Sequence, residues 1–431
     1  MRNWQRTDLF SKTIAFGGSF MAIIRPFECV RPNTEVASRF AALPYDVYNR
    51  EEATKEVERE PMSFLKIDRA ETQFGKDVDT YADEVYLKAR ELFLKALEDG
   101  TLITDSDKAY YIYELTMDNR TQTGIVATAS IDDYENNVIK KHENTRADKE
   151  ADRIRHVDSL SAQTGPIFLA YRANAVINEE VRKAKESKPL YSFVSEDGIK
   201  HRVFKISNPE SISCIRQAFE KIDTIYIADG HHRAASAVKV GLKRRAEAKE
   251  YTGEEEFNFF LSVLFPDEEL MIMDYNRVVK DLNGLTVTQF IKALEDKGFN
   301  VKKATKPVKP NKKASFGMYI EETWYELEAR EEILSEDPVD GLDVAILQNN
   351  CLTPLLGISD PKTDKRIDFV GGIRGLKELE DRCHKDCVLA FSMYPTSIQE
   401  LFAVADASRL MPPKSTWFEP KLRSGLFIHR I

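Results

Sequence analysis

The residues best suited to chemistry stand together at Asp229-Gly230-His231-His232-Arg233. Ahead of them, Asp223–Ala228 alternates and is rich in β-branched residues, which predicts a strand. Behind them, Ala234, Ala235, Val238 and Leu242 recur at helical spacing, which predicts a helix beginning near His231. A strand that turns sharply into a helix leaves the first helical N–H groups unpaired, and the helix dipole adds partial positive charge there. Two histidines and an arginine add anion-binding groups, and Gly230 removes the Cβ that would block close approach. Asp229, Gly230, His231, His232 and Arg233 therefore read as a phosphate seat. An Asp-capped helix with solvated histidines is the plainer alternative.

His142-Glu143, within Lys141-His-Glu-Asn-Thr145, is the second candidate. A carboxylate beside a bound phosphate can accept a proton from an attacking hydroxyl, or hold a Mg²⁺. His142 would orient Glu143 or touch a phosphate oxygen. The charges that follow, Arg146, Lys149, Asp152 and Arg153, fit either a substrate-holding cluster or a solvated helix start. Asp46, in Pro44-Tyr45-Asp46-Val47, is a loop carboxylate: a substrate contact or an Asx-turn. Lys414-Ser415-Thr416 places a lysine and two hydroxyls on a Pro-stiffened loop, a phosphate clamp without P-loop glycine spacing. No Walker motif, dinucleotide fingerprint, Gly-x-Ser-x-Gly elbow or zinc pattern occurs. Cys383-His384-x-x-Cys387 lacks the second half of a metal site, so the sequence assigns no metal ligand.

Asp-Gly-His-His-Arg-x-Ala at a strand-to-helix turn resembles the signature of the ParB/sulfiredoxin-like superfamily, in the form found in its free-serine kinases. Over most of its length the chain resembles the bacterial and archaeal domain-of-unknown-function family numbered ten-fifteen. The segments that carry this are I-R-P-F at Ile24, L-P-Y-D-V at Leu43, K-H-E-N-T at Lys141, D-R-I-R at Asp152 and P-P-K-S-T-W-F-E-P-K-L-R-S-G-L at Pro412. The resemblance implies a nucleotide-binding core and phosphoryl transfer to or from a small hydroxyl metabolite. Free L-serine or O-phosphoserine is the metabolite it suggests, with ADP or ATP and Mg²⁺. It nominates Glu35, in Arg31-Pro-Asn-Thr-Glu-Val36, as a second candidate base beside Glu143. The His-Glu pair expected there is replaced by Asn33-Thr34 before Glu35. His231 stands where sulfiredoxin has its cysteine, which argues against sulfinic-acid reduction. The alternatives are a non-catalytic ParB-like nucleotide-binding regulator and a phosphohydrolase that uses no nucleotide.

At 431 residues the chain exceeds one ordinary domain. The expected fold is mixed α/β: a ParB/sulfiredoxin-like core with hairpin insertions over 21–266, and a second α/β region over 267–431 packed on it. Met1–Phe20 reads as an upstream extension before Met21. Met62–Ile67, Gln163–Tyr171 and Leu270–Val279 are expected as strands, and Asp132–Ile139 as a helix leading to the His142 loop. A net charge of −9 argues against nucleic-acid and membrane-surface partners. Five scattered cysteines suit a reducing cytoplasm, no apolar run reaches membrane-spanning length, and the oligomeric state is left open.

Overall fold

The computed structural model describes residues 21–431. The Met1–Phe20 extension lies outside the described residues. The architecture is mixed α/β, with two large sheets and two small ones.

The first large sheet has nine strands. Along it run Ile139–Lys140, Ile225–Asp229, Ile167–Tyr171, Phe259–Pro266, Arg120–Ser130, Tyr110–Met117, Lys200–Ile206 and Tyr191–Val194, and Ile24–Arg25 joins Arg120–Ser130. Among the described residues two of its pairings are parallel: Ile225–Asp229 with Ile139–Lys140, and Phe259–Pro266 with Ile167–Tyr171. Both large faces are covered, so strands such as Phe259–Pro266 are buried at every residue. The second sheet is antiparallel throughout, in the order Phe299–Lys303, Thr323–Ala329, Ser315–Ile320, Leu389–Ser392, Tyr275–Val279 and Ile367–Gly371.

One hydrophobic core joins the two. Phe168, Val126 and Phe265 of the first sheet share it with Phe316, Leu389 and Phe391 of the second, and with Phe418 and Phe427 of the C-terminal segment. Each such side chain contributes about 1.5–3 kcal/mol on burial. The C-terminal segment stitches the halves together. Trp417–Phe418 pairs with Ile272–Met273, and Ile428–Arg430 lies between Cys29–Pro32 and Ala162–Gln163 in a four-stranded sheet.

Four expected elements differ. Asp132–Ile139 is not one helix: the helix is Ile131–Glu135, Asn137 is left-handed at φ 61°, and Ile139–Lys140 is a strand. Gln163–Tyr171 is split at Gly165-Pro166 into Ala162–Gln163 and Ile167–Tyr171, in different sheets. Pro166 brings no N–H to a ladder, which explains the break. Leu270–Val279 divides likewise, into Ile272–Met273 and Tyr275–Val279 in different sheets. Met62–Ile67 instead runs into a helical turn, Leu65–Asp68, because a short segment with four apolar residues in six does not separate strand from buried helix. Among the described residues, no helix is long and apolar enough to cross a membrane.

Candidate functional site

The strand Ile225–Asp229 is buried until its last residue, and its register against Ile167–Tyr171 shifts between Ile227 and Asp229. Such a bulge ends pairing and re-aims side chains. Gly230 follows at φ 90° and ψ 33°, a left-handed conformation that costs any residue with a Cβ. Helix His231–Glu247 then begins with no capping side chain and no acid in its first turn. Its first N–H groups stay available to an anion.

Two backbone donors pin the neighbouring loop onto the helix start. The His142 N–H donates to His231 Nε2 at 3.5 Å, and the Arg146 N–H donates to His232 Nε2 at 2.9 Å. A neutral histidine whose Nε2 accepts carries its proton on Nδ1, and this tautomer is assigned from the hydrogen bonds. In His231 that Nδ1 stands 4.0 Å from Glu143 Oε2. Burial, then His142, holds His231 well below its ordinary pKa, although Asp229 opposes both. Burial brings His142 down to about 4 against the pull of Asp229 and the Ile227 backbone. His232 is lowered as well, by burial first. The histidines are therefore neutral and bring no positive charge to the turn, which leaves the helix N–H groups as its donors.

A cavity of about 430 Å³ opens beside the end of the strand at Ala228 and Asp229, and Asp46, His142, Glu143, Lys414, Ser415 and Thr416 also line it. Burial pushes the Glu143 carboxyl up, against Lys414 and Lys362. Burial would lower Lys414, but Tyr275, Glu143 and Asp46 outweigh it and hold the ammonium above its ordinary value. Asp229 would rise on burial, yet Lys421 and Arg233 keep it well below the usual carboxylate range. The Ser415 hydroxyl donates to the Pro412 carbonyl at 2.6 Å, so it braces the loop. His142 is 2% exposed, and its Nδ1 has no hydrogen-bond partner among the described residues. No group of three or more His, Cys, Asp or Glu side chains among the described residues is placed to hold a metal ion by itself.

Six expected residues do not line this cavity: Gly230, His231 and His232 of the turn itself, and Arg233, Arg153 and Glu35. Arg233 turns back over Gly230, donates to the Pro166 carbonyl at 2.7 Å, and lines a narrow cavity of about 30 Å³. Arg153 lines that same narrow cavity, buried over the Tyr45 ring at 3.9 Å and held by Asp152 at 2.9 Å. Glu35 is exposed in an Asx-turn, where its N–H donates to Asn33 Oδ1 at 3.0 Å, and it lines neither cavity. Tyr275, Asp197 and Lys421 on the main cavity wall escaped sequence reading. For Lys421 a signal existed, since it closes the same Pro-Pro-Lys-Ser-Thr-Trp-Phe-Glu-Pro-Lys run that contains Lys414.

No curated protein matches the chain. Among solved structures, a free serine kinase in complex with AMP is similar at 13% identity and a TM-score of 0.35, over 68% of this chain and 86% of that one. A conserved hypothetical protein from Pyrococcus furiosus aligns at 14% identity and a TM-score of 0.33, over 70% and 93%. SbnI with a C-terminal truncation, from Staphylococcus aureus, aligns at 12% identity and a TM-score of 0.37, over 68% and 82%. The sequence profile of a family described as a protein of unknown function, DUF1015, matches residues 24–345. The chain belongs to that family.

Proposed function

We propose that this protein is a phosphoryl-transfer enzyme acting on a small hydroxyl metabolite, with a nucleotide as the second substrate. The observation that carries this reading is the double pinning of the His142–Arg146 loop on His231 and His232. It holds a carboxylate of raised pKa, Glu143, beside an uncapped helix start and within the field of Lys414. A general base works best when its pKa lies near the working pH, and phosphoryl transfer depends on positioning and charge neutralisation.

In this reading Glu143 accepts the proton of the acceptor hydroxyl as the new O–P bond forms and the bond to the leaving nucleotide oxygen breaks. The helix N–H groups orient the transferring phosphoryl. The cavity fits the group: the helix start beside it lacks a capping carboxylate, and Lys414 and Lys421 line its wall. Mg²⁺ brought in with the nucleotide would neutralise phosphate charge, and Asp46, the other carboxylate on this side of the cavity, is the side chain that would meet it, since such sites need only one or two protein carboxylates. The motif resemblance supplies the candidates: free L-serine or O-phosphoserine, with ADP or ATP, in either direction. The test is incubation of the purified protein with each pair, followed by nucleotide and phosphate analysis. Exchange of a phosphoryl group with one pair supports the reading. Nucleotide binding without turnover on any hydroxyl acceptor favours a regulatory role instead.

A further inference from the structure

We propose that the cations taking the substrate phosphates are Lys414 and Lys421, both delivered by the C-terminal segment, and that Arg233 is a positioning residue. This inference rests on the nucleotide-dependent reading above.

Arg233 is committed elsewhere. One guanidinium nitrogen donates to the Pro166 carbonyl at 2.7 Å and another stands 4.0 Å from Asp229 Oδ2. Its plane lies 3.1–3.2 Å from the point a Gly230 Cβ would occupy. The cavity it lines, about 30 Å³, has room for a water and not for a nucleotide. A guanidinium so placed holds the Gly165-Pro166 turn against the helix start.

Lys421 is placed differently. Its Nζ is 3.3 Å from Asp229 Oδ2 and lies 4.7 Å over the Trp417 ring, on the wall of the 430 Å³ cavity. The backbone beneath it is fixed by a buried carboxylate. Glu419 Oε2 accepts from the Lys421 N–H at 3.1 Å, and Glu419 Oε1 accepts from the Trp417 indole at 2.9 Å. Trp417 in turn sits on Gly371, where a Cβ would stand 2.7 Å from the indole.

Lys414 is built with equal care. Its residue takes a left-handed φ of 59°, and its carbonyl accepts from Arg277 at 3.1 Å. The next carbonyl, of Ser415, accepts from Thr396 at 3.0 Å. Strained backbone held by side chains on both sides is a feature of sites that aim one group. Each ammonium has three donors, and the single contact Lys421 makes with Asp229 leaves the others for a ligand. With neutral histidines on the helix start, the cations lining the cavity among the described residues are Lys414, Lys421 and Arg374, and Arg374 is an exposed side chain turned to Glu378 at 3.7 Å.

The test uses the full-length protein with ADP and adenosine as probes, by calorimetric titration. Lys421→Gln and Lys414→Gln should each weaken ADP by about tenfold or more, the range for a charge-assisted hydrogen bond. Adenosine, which has no phosphate, should change by less than about twofold in both, which separates ligand contact from damaged folding. Lys421→Arg should restore most of the ADP affinity. Arg233→Ala should lower Tm and leave the preference for ADP over adenosine in place. If Arg233→Ala abolishes that preference while both lysine variants keep it, the assignment is overturned and the nucleotide-dependent reading survives. If the wild type binds neither probe, the reading itself falls, and this inference with it.

Discussion

His142 and His231 stand edge to face, with ring centroids 4.4 Å apart and planes at 88°, while the backbone N–H of the first donates to the ring of the second. The contact joins residues 89 apart in sequence. It brings the Glu143 loop onto the helix start, and the consequences below follow from it.

His232 holds the other end of that loop through Arg146. His232→Ala should remove one of the two backbone pins that hold the loop on the helix start. Arg146 is exposed, so stability should change by about 1 kcal/mol at most. Turnover should fall by about tenfold or more, because a base displaced by an ångström loses its geometry. Denaturant melts alongside steady-state rates check both halves.

Gly230→Ala forces a Cβ onto a φ of 90°, next to the Arg233 guanidinium. The backbone conformation alone should cost about 1–2 kcal/mol. Because the strained residue is the turn that presents the helix N–H groups, nucleotide affinity should fall together with Tm. Gly284→Ala is the comparison. It has φ 80° and nothing within 4 Å, so Tm should fall without the loss of affinity.

The strand–turn–helix of the candidate site was legible in the sequence, for a physical reason. The strand–turn–helix around Gly230 is specified by local signals, alternation followed by helical spacing, and the structure has it at Ile225–Asp229 and His231–Glu247. The mixed α/β class was legible in the same way. The orientation of Arg233 was not, since it depends on the Pro166 carbonyl, 67 residues away. Nor could a single sequence show that His231 and His232 would be neutral acceptors, because that follows from burial under a distant loop. Lys421 was missed because its meaning lies in Asp229, 192 residues earlier. The strand at Ile139–Lys140 was hidden inside an expected helix, since only its parallel partner Ile225–Tyr226 makes it one.

Glu143 must be ionised to act as a base, so activity should fall as pH drops through its raised pKa. Lys414 works against that rise. Lys414→Gln should therefore lift the Glu143 pKa further and move the acid limb of kcat/KM to higher pH. An unmoved limb in the pH profile would separate Glu143 from the chemistry.

Buried neutral histidines also set how stability responds to acid. His142 at about 4 and His201 at about 3 lie below the unfolded value near 6.5, with burial the leading cause in each. The unfolded chain binds those protons first, so this stability is present above pH 6.5 and is lost as pH falls towards 4. Asp343, raised by burial to about 7, and Asp133, raised to about 6, act in the opposite sense, because the folded chain binds their protons first. Melting curves between pH 7.5 and about 4.5 should show a shallower decline in His201→Gln and a steeper one in Asp343→Asn.

The central claim is that Glu143, held over the anchor turn, takes the acceptor proton in phosphoryl transfer. The most direct measurement is kcat with ADP or ATP and the responding acceptor, together with nucleotide Kd, for Glu143→Gln and Glu35→Gln. The account predicts that Glu143→Gln lowers kcat by about 10²-fold or more with little change in Kd, while Glu35→Gln, on its exposed turn, stays near wild type. Loss of turnover in Glu35→Gln with Glu143→Gln intact would contradict it.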